Sequence, residues 1–142
     1  MAVKKHDNLE IFLHEYPRYR AYLDEALKHS TTGITRQDIE RGIFDRRYQF
    51  WTTEKAACVT SLTEWRDMPV CCLFLIGGER AASIPEILHE GQPVVEEYAR
   101  NHNCKGLLGI GRTGWSRVLP RFGFQIFEEE NNNEITYFKE FA

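Results

Sequence analysis

Apolar positions recur at three- and four-residue steps in the first third of the chain and change to short runs and alternations beyond Arg47. Leu9, Leu13, Tyr16, Arg20, Leu23 and Leu27 mark one face of an opening helix. Pro17 predicts a break or kink near Tyr16, because its ring removes a donor and clashes one turn back. Gly33 falls in the loop that follows. Thr35-Arg36-Gln37-Asp38 has the form of a capping box and opens a short helix through Ile39, Ile43 and Phe44.

Strands come next. Tyr48–Thr53 is aromatic and β-branched, with Thr53-Glu54-Lys55 as a hairpin turn leading into Ala56–Trp65. Asp67-Met68-Pro69 reads as a second turn. Val70–Ile76 is apolar at every position, which predicts a central strand covered by helices on both faces. Ser83-Ile84-Pro85-Glu86 then starts a helix, with Ser as N-cap and Pro in the first turn. Ile84, Ile87, Leu88, Gly91, Val94, Val95 and Tyr98 line one side of it, Pro93 predicts a kink, and Asn103 a stop. A short strand follows at Gly106–Gly111, then a short helix over Thr113–Phe122 with Gly123 past its end. Phe124–Glu129 and Ile135–Phe141 form a hairpin around Asn131-Asn132-Asn133. The fold class this order implies is a mixed α/β domain, a central, mostly antiparallel sheet of about six strands with helices on both faces.

Length and composition narrow the function classes. At 142 residues, 42% of them hydrophobic, one well-cored domain is expected without disulfides or metals. The helical segment 1–34 precedes the mixed unit 35–142, and no linker, repeat or low-complexity tract divides them. The net charge of −3 argues against bulk binding to nucleic acid. No apolar run reaches the ~18 residues of a membrane span, and the opening Met-Ala-Val-Lys-Lys-His-Asp has no leader-like apolar stretch. A cytoplasmic protein is the expectation. Cys58, Cys71, Cys72 and Cys104 show no C-x-x-C spacing, and His102 with Cys104 finds no second ligand pair. Reduced, buried thiols and no metal follow.

One stretch carries a resemblance. Gly111-Arg112-Thr113-Gly114-Trp115-Ser116-Arg117-Val118-Leu119-Pro120-Arg121-Phe122-Gly123-Phe124, together with the element order, resembles the GNAT N-acetyltransferase superfamily, in which a short helix ends in Gly-Phe before the next strand. The variant G-R-x-G-W-x-x-x-L-x-x-x-G-F is similar to acetyltransferase-like proteins of tailed phages and prophages. The element order matches over about residues 36–141 and the motif mainly over 106–126.

The resemblance implies acetyl-CoA as acyl donor. It would lie at Ile76, Gly77, Gly78, Arg80, Ala81, Ala82, Ser83 and Ile84, where GNAT enzymes carry a Q/R-x-x-G-x-G/A loop whose backbone amides and helix dipole hold the pyrophosphate. Here Ser83 and Pro85 stand at the two small positions. Arg80 with the amides of Ala82 and Ser83 could hold an anion, or the segment could simply cap a helix. The family pattern N-x-x-A-x-x-L-Y-x-x-x-G-F puts Leu119 at the Tyr that can protonate the leaving thiolate and Arg112 at the Asn, and leucine is no acid. Glu64 and Glu79 are the carboxylates nearest the central strand and the candidates for assisting proton removal, with a surface role as the alternative.

Two groups suggest a protein partner. Tyr16, Arg18, Tyr19, Arg20 and Tyr22 have the composition of interface anchors, or pack on the sheet. Arg112, Arg117 and Arg121, with Trp115, form a cationic segment in which Arg117 and Arg121, four apart, share a helix face; it contacts nucleic acid or an acidic partner surface, or pairs with Glu128-Glu129-Glu130. Two functions are therefore carried forward. The first is an acyl-CoA-dependent N-acetyltransferase-like protein of phage type with an altered cofactor loop. The second is a non-catalytic structural, assembly or host-interaction component of a tailed phage, found in the host cytoplasm or in the virion.

Overall fold

The computed structural model describes residues 3–7, 9–28, 33–78, 87–129 and 134–141. Its elements are β1 (Lys4–Lys5), α1 (Leu9–Leu27), α2 (Arg36–Phe44), β2 (Tyr48–Thr52), β3 (Ala56–Trp65) and β4 (Met68–Gly78). A π-helical turn (Ile87–Gly91), α3 (Gln92–Asn101), β5 (Gly106–Arg112), two 3₁₀ turns (Thr113–Arg117 and Leu119–Phe122), β6 (Gln125–Glu129) and β7 (Glu134–Glu140) complete it. The strands form one seven-stranded sheet in the order β1-β2-β3-β4-β5-β7-β6. Only β4 and β5 run parallel; every other neighbouring pair is antiparallel. This is the mixed α/β architecture expected, with one more strand than the sequence reading counted. The extra strand is Lys4–Lys5 on the sheet edge, where charge rather than apolar alternation is the rule.

β4 is central, and its two faces bury different clusters. On one face Cys71, Leu73 and Ile76 join Leu88, Val95 and Ala99 of the α3 layer, together with Trp115, Leu119 and Tyr137. On the other, Leu75 meets Phe12, Tyr16, Tyr19 and Leu23 of α1 and Ile39 and Ile43 of α2. Gly77 explains how α1 comes so close: a Cβ there would lie 1.9 Å from the Tyr22 carbonyl oxygen.

Several local expectations hold. Thr35 Oγ1 accepts from the Asp38 amide at 3.2 Å, and Asp38 accepts from the Thr35 amide at 2.9 Å, so the capping box is complete. Asn103, at φ 64°, turns the chain out of α3, and Gly123, at φ 95°, sits in the left-handed region after the second 3₁₀ turn. All four cysteines are free and buried. Desolvation pushes the Cys71 and Cys72 thiols up to about 12, so neither is a nucleophile at neutral pH.

Others are corrected. α1 runs unbroken through Pro17, which is exposed, so the Leu13 carbonyl that loses its partner lies on the solvent side. The buried stripe is Phe12, Tyr16, Tyr19 and Leu23, whereas Leu13 is 57% exposed. The turn before β4 is Arg66-Asp67, with φ 50° and 64°, a type I′ geometry one residue earlier than expected. The segment Thr113–Phe122 is not an α-helix; it makes two 3₁₀ turns, and Pro120 in the first turn of the second cannot donate an i−4 bond. Pro93 lies in the first turn of α3, where the π-helical turn Ile87–Gly91 passes directly into the α-helix. The expected N-cap at Ser83 and the turn at Asn131-Asn132-Asn133 lie outside the described residues.

Candidate active site

The site is built by a parting of the sheet. β4 and β5 pair through three rungs, Cys71↔Leu107, Cys72↔Leu108 and Leu73↔Gly109. Beyond Leu73, β4 stays paired with β3 as far as Gly78↔Ala56. Beyond Gly109, β5 stays paired with β7 as far as Arg112↔Glu134. Between them, Phe74–Gly78 and Ile110–Arg112 share no rung. A fork therefore opens in the middle of the sheet, and two strands present backbone edges to the gap.

Its cause lies at Phe74. The β3 register passes from Val59↔Leu75 to Thr60↔Leu73, so Phe74 is an extra residue in β4. Such a bulge bends its strand and increases the local twist, and here it falls one residue past the last rung with β5. The β5 side of the fork carries glycine at both positions that face α3. At Gly111 a Cβ would meet the Trp115 ring at 2.3 Å, so the indole lies directly on the strand. At Gly109 the nearest atoms to such a Cβ are Leu119 Cδ1 at 3.5 Å and Tyr137 Cβ at 3.6 Å.

Leu119, fully buried, thus reaches the last rung, the place the resemblance assigns to a tyrosine. A phenol is nonetheless beside it. Tyr137 comes from β7, opposite Gly109, and its hydroxyl is 3.0 Å from Ser116 Oγ. Burial raises the Tyr137 pKa, with the Ser116 bond acting weakly the other way, so the phenol keeps its proton at neutral pH. Tyr137 and Ser116 were not singled out from sequence, because a β7 tyrosine meets β5 only through long-range pairing. Their signal was at most the alternation of Ile135 and Tyr137.

The two faces of the fork differ. Toward α3 it is closed by Trp115, Leu119 and Tyr137. Toward α2 it is flanked by Phe74 and Ile110, both half-buried, and Phe74 also lines a groove with Tyr48, Ser61, Thr63, Cys72, Arg41 and Arg47. Tyr48 stacks edge-on against Phe74 at 5.1 Å, and its ring fills the space left by Gly42, whose Cβ would lie 2.1 Å from it.

Of the residues proposed from sequence, Ile76, Gly77 and Gly78 end β4 on the fork. Glu79, Arg80, Ala81, Ala82, Ser83 and Ile84 lie outside the described residues. Glu64 is exposed and pairs with Pro69 at the hairpin end of β4, about 13 Å of strand short of Leu73. Tyr16 and Tyr19 are buried against the sheet by the helical periodicity of α1, leaving no ring face for a partner, while Arg18 and Arg20 are exposed and Tyr22 is half-buried. Arg112 ends β5; Arg117 and Arg121 are exposed on separate 3₁₀ turns, so they do not share one α-helical face. Among the described residues no three His, Cys, Asp or Glu side chains gather where a metal could be held, and no helix is long and apolar enough to cross a membrane.

Solved structures share this architecture over the whole chain. An acetyltransferase of the GNAT family from Listeria monocytogenes superposes with a TM-score of 0.64 at 16% identity, covering 98% of this chain and 95% of that one. The fold is that of the GNAT acetyltransferases. A Bacillus subtilis acetyltransferase in complex with CoA gives 0.63 at 9% identity, with 99% of each chain covered. A chain of the NatC complex bound to Gag peptide and CoA gives 0.69 at 9% identity over all of both chains. No protein-family model and no curated protein sequence matches the chain.

Proposed function

We propose that the chain is an acyl-CoA-dependent N-acetyltransferase whose donor lies in the fork between β4 and β5. The carrying observation is the loss of pairing beyond Leu73 and Gly109. Two strand edges facing a gap leave backbone N–H and C=O groups without ladder partners, and such groups are costly unless something bonds them. The amide-bearing arm of CoA is an extended chain able to pair with both edges. That two similar folds hold CoA supports the same use here.

Acetyl-CoA would supply an acetyl thioester. Phe74–Gly78 and Ile110–Arg112 would hold its arm by their backbone edges, and the sequence from Glu79 to Ile84 follows directly from β4, as the family resemblance requires of a phosphate-binding segment. Trp115 and Leu119 exclude water from the α3 side. The Tyr137–Ser116 hydroxyl pair holds a proton beside Gly109, where Leu119 cannot. Calorimetric titration with acetyl-CoA tests this reading: saturable binding supports it, and no heat at millimolar ligand ends it.

Leu119 at the expected tyrosine position favours a second reading, the phage-type binding component without catalysis. Acetyl-CoA titration with no heat, together with a stoichiometric complex with a virion or host protein, would select it.

A further inference from the structure

We infer that the acceptor is an amine carried on an apolar, aromatic-sized body and not a polycation. The inference rests on the acetyltransferase reading above and specifies its substrate. Among the described residues Trp115, Leu119 and Tyr137 fill the α3 side of the fork, which leaves the acceptor the α2 face, past Phe74 and Ile110, the first residues beyond the last rung on either strand. Both side chains are apolar and half-buried.

What surrounds that mouth is aromatic on both sides. On one side stand Phe74 and Tyr48, with the Arg47 guanidinium 5.3 Å above the Tyr48 ring. On the other, Ile110 packs against a buried floor of Val70, Cys72, Leu108 and Phe138, edged by Phe127 and, at the hairpin end of β3, by Trp65. Arg66 lies 4.5 Å from the Trp65 ring and 5.1 Å from that of Phe127. Among the described residues no helix covers this half of the sheet face, since α1 and α2 pack on Phe50, Val59 and Leu75.

The charges argue in the same direction. Among the described residues the charged side chains lining the groove are Arg41, Arg47 and Asp38; Arg47 is paired with Asp45 at 2.8 Å, and Asp38 caps α2 through the Thr35 amide. A polyamine would bring several positive charges to a groove where, among the described residues, Asp38 already bonds the Thr35 amide, Asp45 is paired with Arg47, and Arg41 adds a like charge. An arylalkylamine brings at most one charge and buries its ring against Phe74 and Ile110. Its neutral nitrogen would bond to the acetyl carbon as the carbon–sulfur bond breaks. The proton lost from nitrogen ends on the thiolate, giving an amide and free CoA.

The experiment compares 2-phenylethylamine with spermidine, on the full chain with acetyl-CoA, by release of free thiol. Acetyl-CoA affinity and melting temperature are measured alongside. The expected result is kcat/KM at least about tenfold higher for 2-phenylethylamine, in line with the discrimination an apolar pocket provides. In Tyr48→Ala that advantage should shrink through KM, with acetyl-CoA affinity unchanged. Should Tyr48→Ala not fold, the wild-type comparison decides alone. Equal or greater activity on spermidine, or no thiol release with 2-phenylethylamine while acetyl-CoA binds, would overturn the acceptor assignment and leave the donor site standing. Absence of acetyl-CoA binding would overturn both.

Discussion

Leu73 faces Gly109 across the last rung that joins β4 to β5, and past that pair each strand keeps only its outer neighbour. One residue further along β4, Phe74 is the bulge that turns the strand. A continuous sheet would satisfy all of its backbone groups internally. This one leaves a gap at its centre, which is the physical basis for assigning a ligand there. Close approaches at glycine fix the elements on either side of it: α1 is seated on Gly77, Tyr48 on Gly42, and Trp115 on Gly111.

Gly77→Ala should destabilise the protein by about 3 kcal/mol, because the new methyl would meet a backbone carbonyl that cannot swing aside. Urea denaturation measures it. A change below about 0.5 kcal/mol would show that α1 does not pack on β4 as described.

Tyr137→Phe removes the phenol proton and keeps the ring. Turnover should fall by about 100-fold with acetyl-CoA affinity unchanged, the range expected for a positioned proton donor. Loss of affinity and turnover together would instead indicate a packing role.

His6 is buried, with Nε2 2.9 Å from Thr52 Oγ1 and its ring near Phe12, Tyr19 and Phe50. Burial first, and Lys4 second, lower its pKa from 6.5, outweighing Glu15 and Asp7. The unfolded chain therefore takes up this proton before the folded one does. The stabilisation is complete above pH 6.5 and is lost as pH falls from there through the folded value. Melting temperature should drop between pH about 7 and about 5, and the drop should be smaller in His6→Gln.

The linkage between α3, β7 and the second 3₁₀ turn centres on Glu96. It accepts from Lys139 at 2.6 Å and from Gln92 at 2.7 Å, while Gln92 also donates to the Phe122 carbonyl at 2.9 Å. Glu96 is 8% exposed, so Lys139→Met should cost about 1–3 kcal/mol by leaving a buried carboxylate short of a donor. The double variant with Glu96→Gln should recover part of that loss in a double-mutant cycle.

What could be read from sequence was local. The Thr35–Asp38 capping box, the stop at Asn103 and the left-handed Gly123 each follow from the chemistry of a few consecutive residues. Val70–Ile76 announced a central strand because an apolar residue at every position needs two covered faces. On α1, Tyr16, Leu23 and Leu27 pack on the core as their spacing predicts, whereas Phe12 and Tyr19 take the places expected for Leu13 and Arg20; which neighbouring position is buried depends on the sheet beneath. The fork was not visible at all. It depends on a register between strands more than thirty residues apart and on a single extra residue at Phe74. Tyr137 and Ser116 meet for the same non-local reason.

The most direct measurement is backbone hydrogen exchange with and without acetyl-CoA. The account predicts that amides of Phe74–Gly78 and Ile110–Arg112 become protected on addition of ligand, while Cys71–Leu73 and Leu107–Gly109, already paired across the strands, change little. Saturating acetyl-CoA that leaves the fork amides exchanging at the free-protein rate would contradict it.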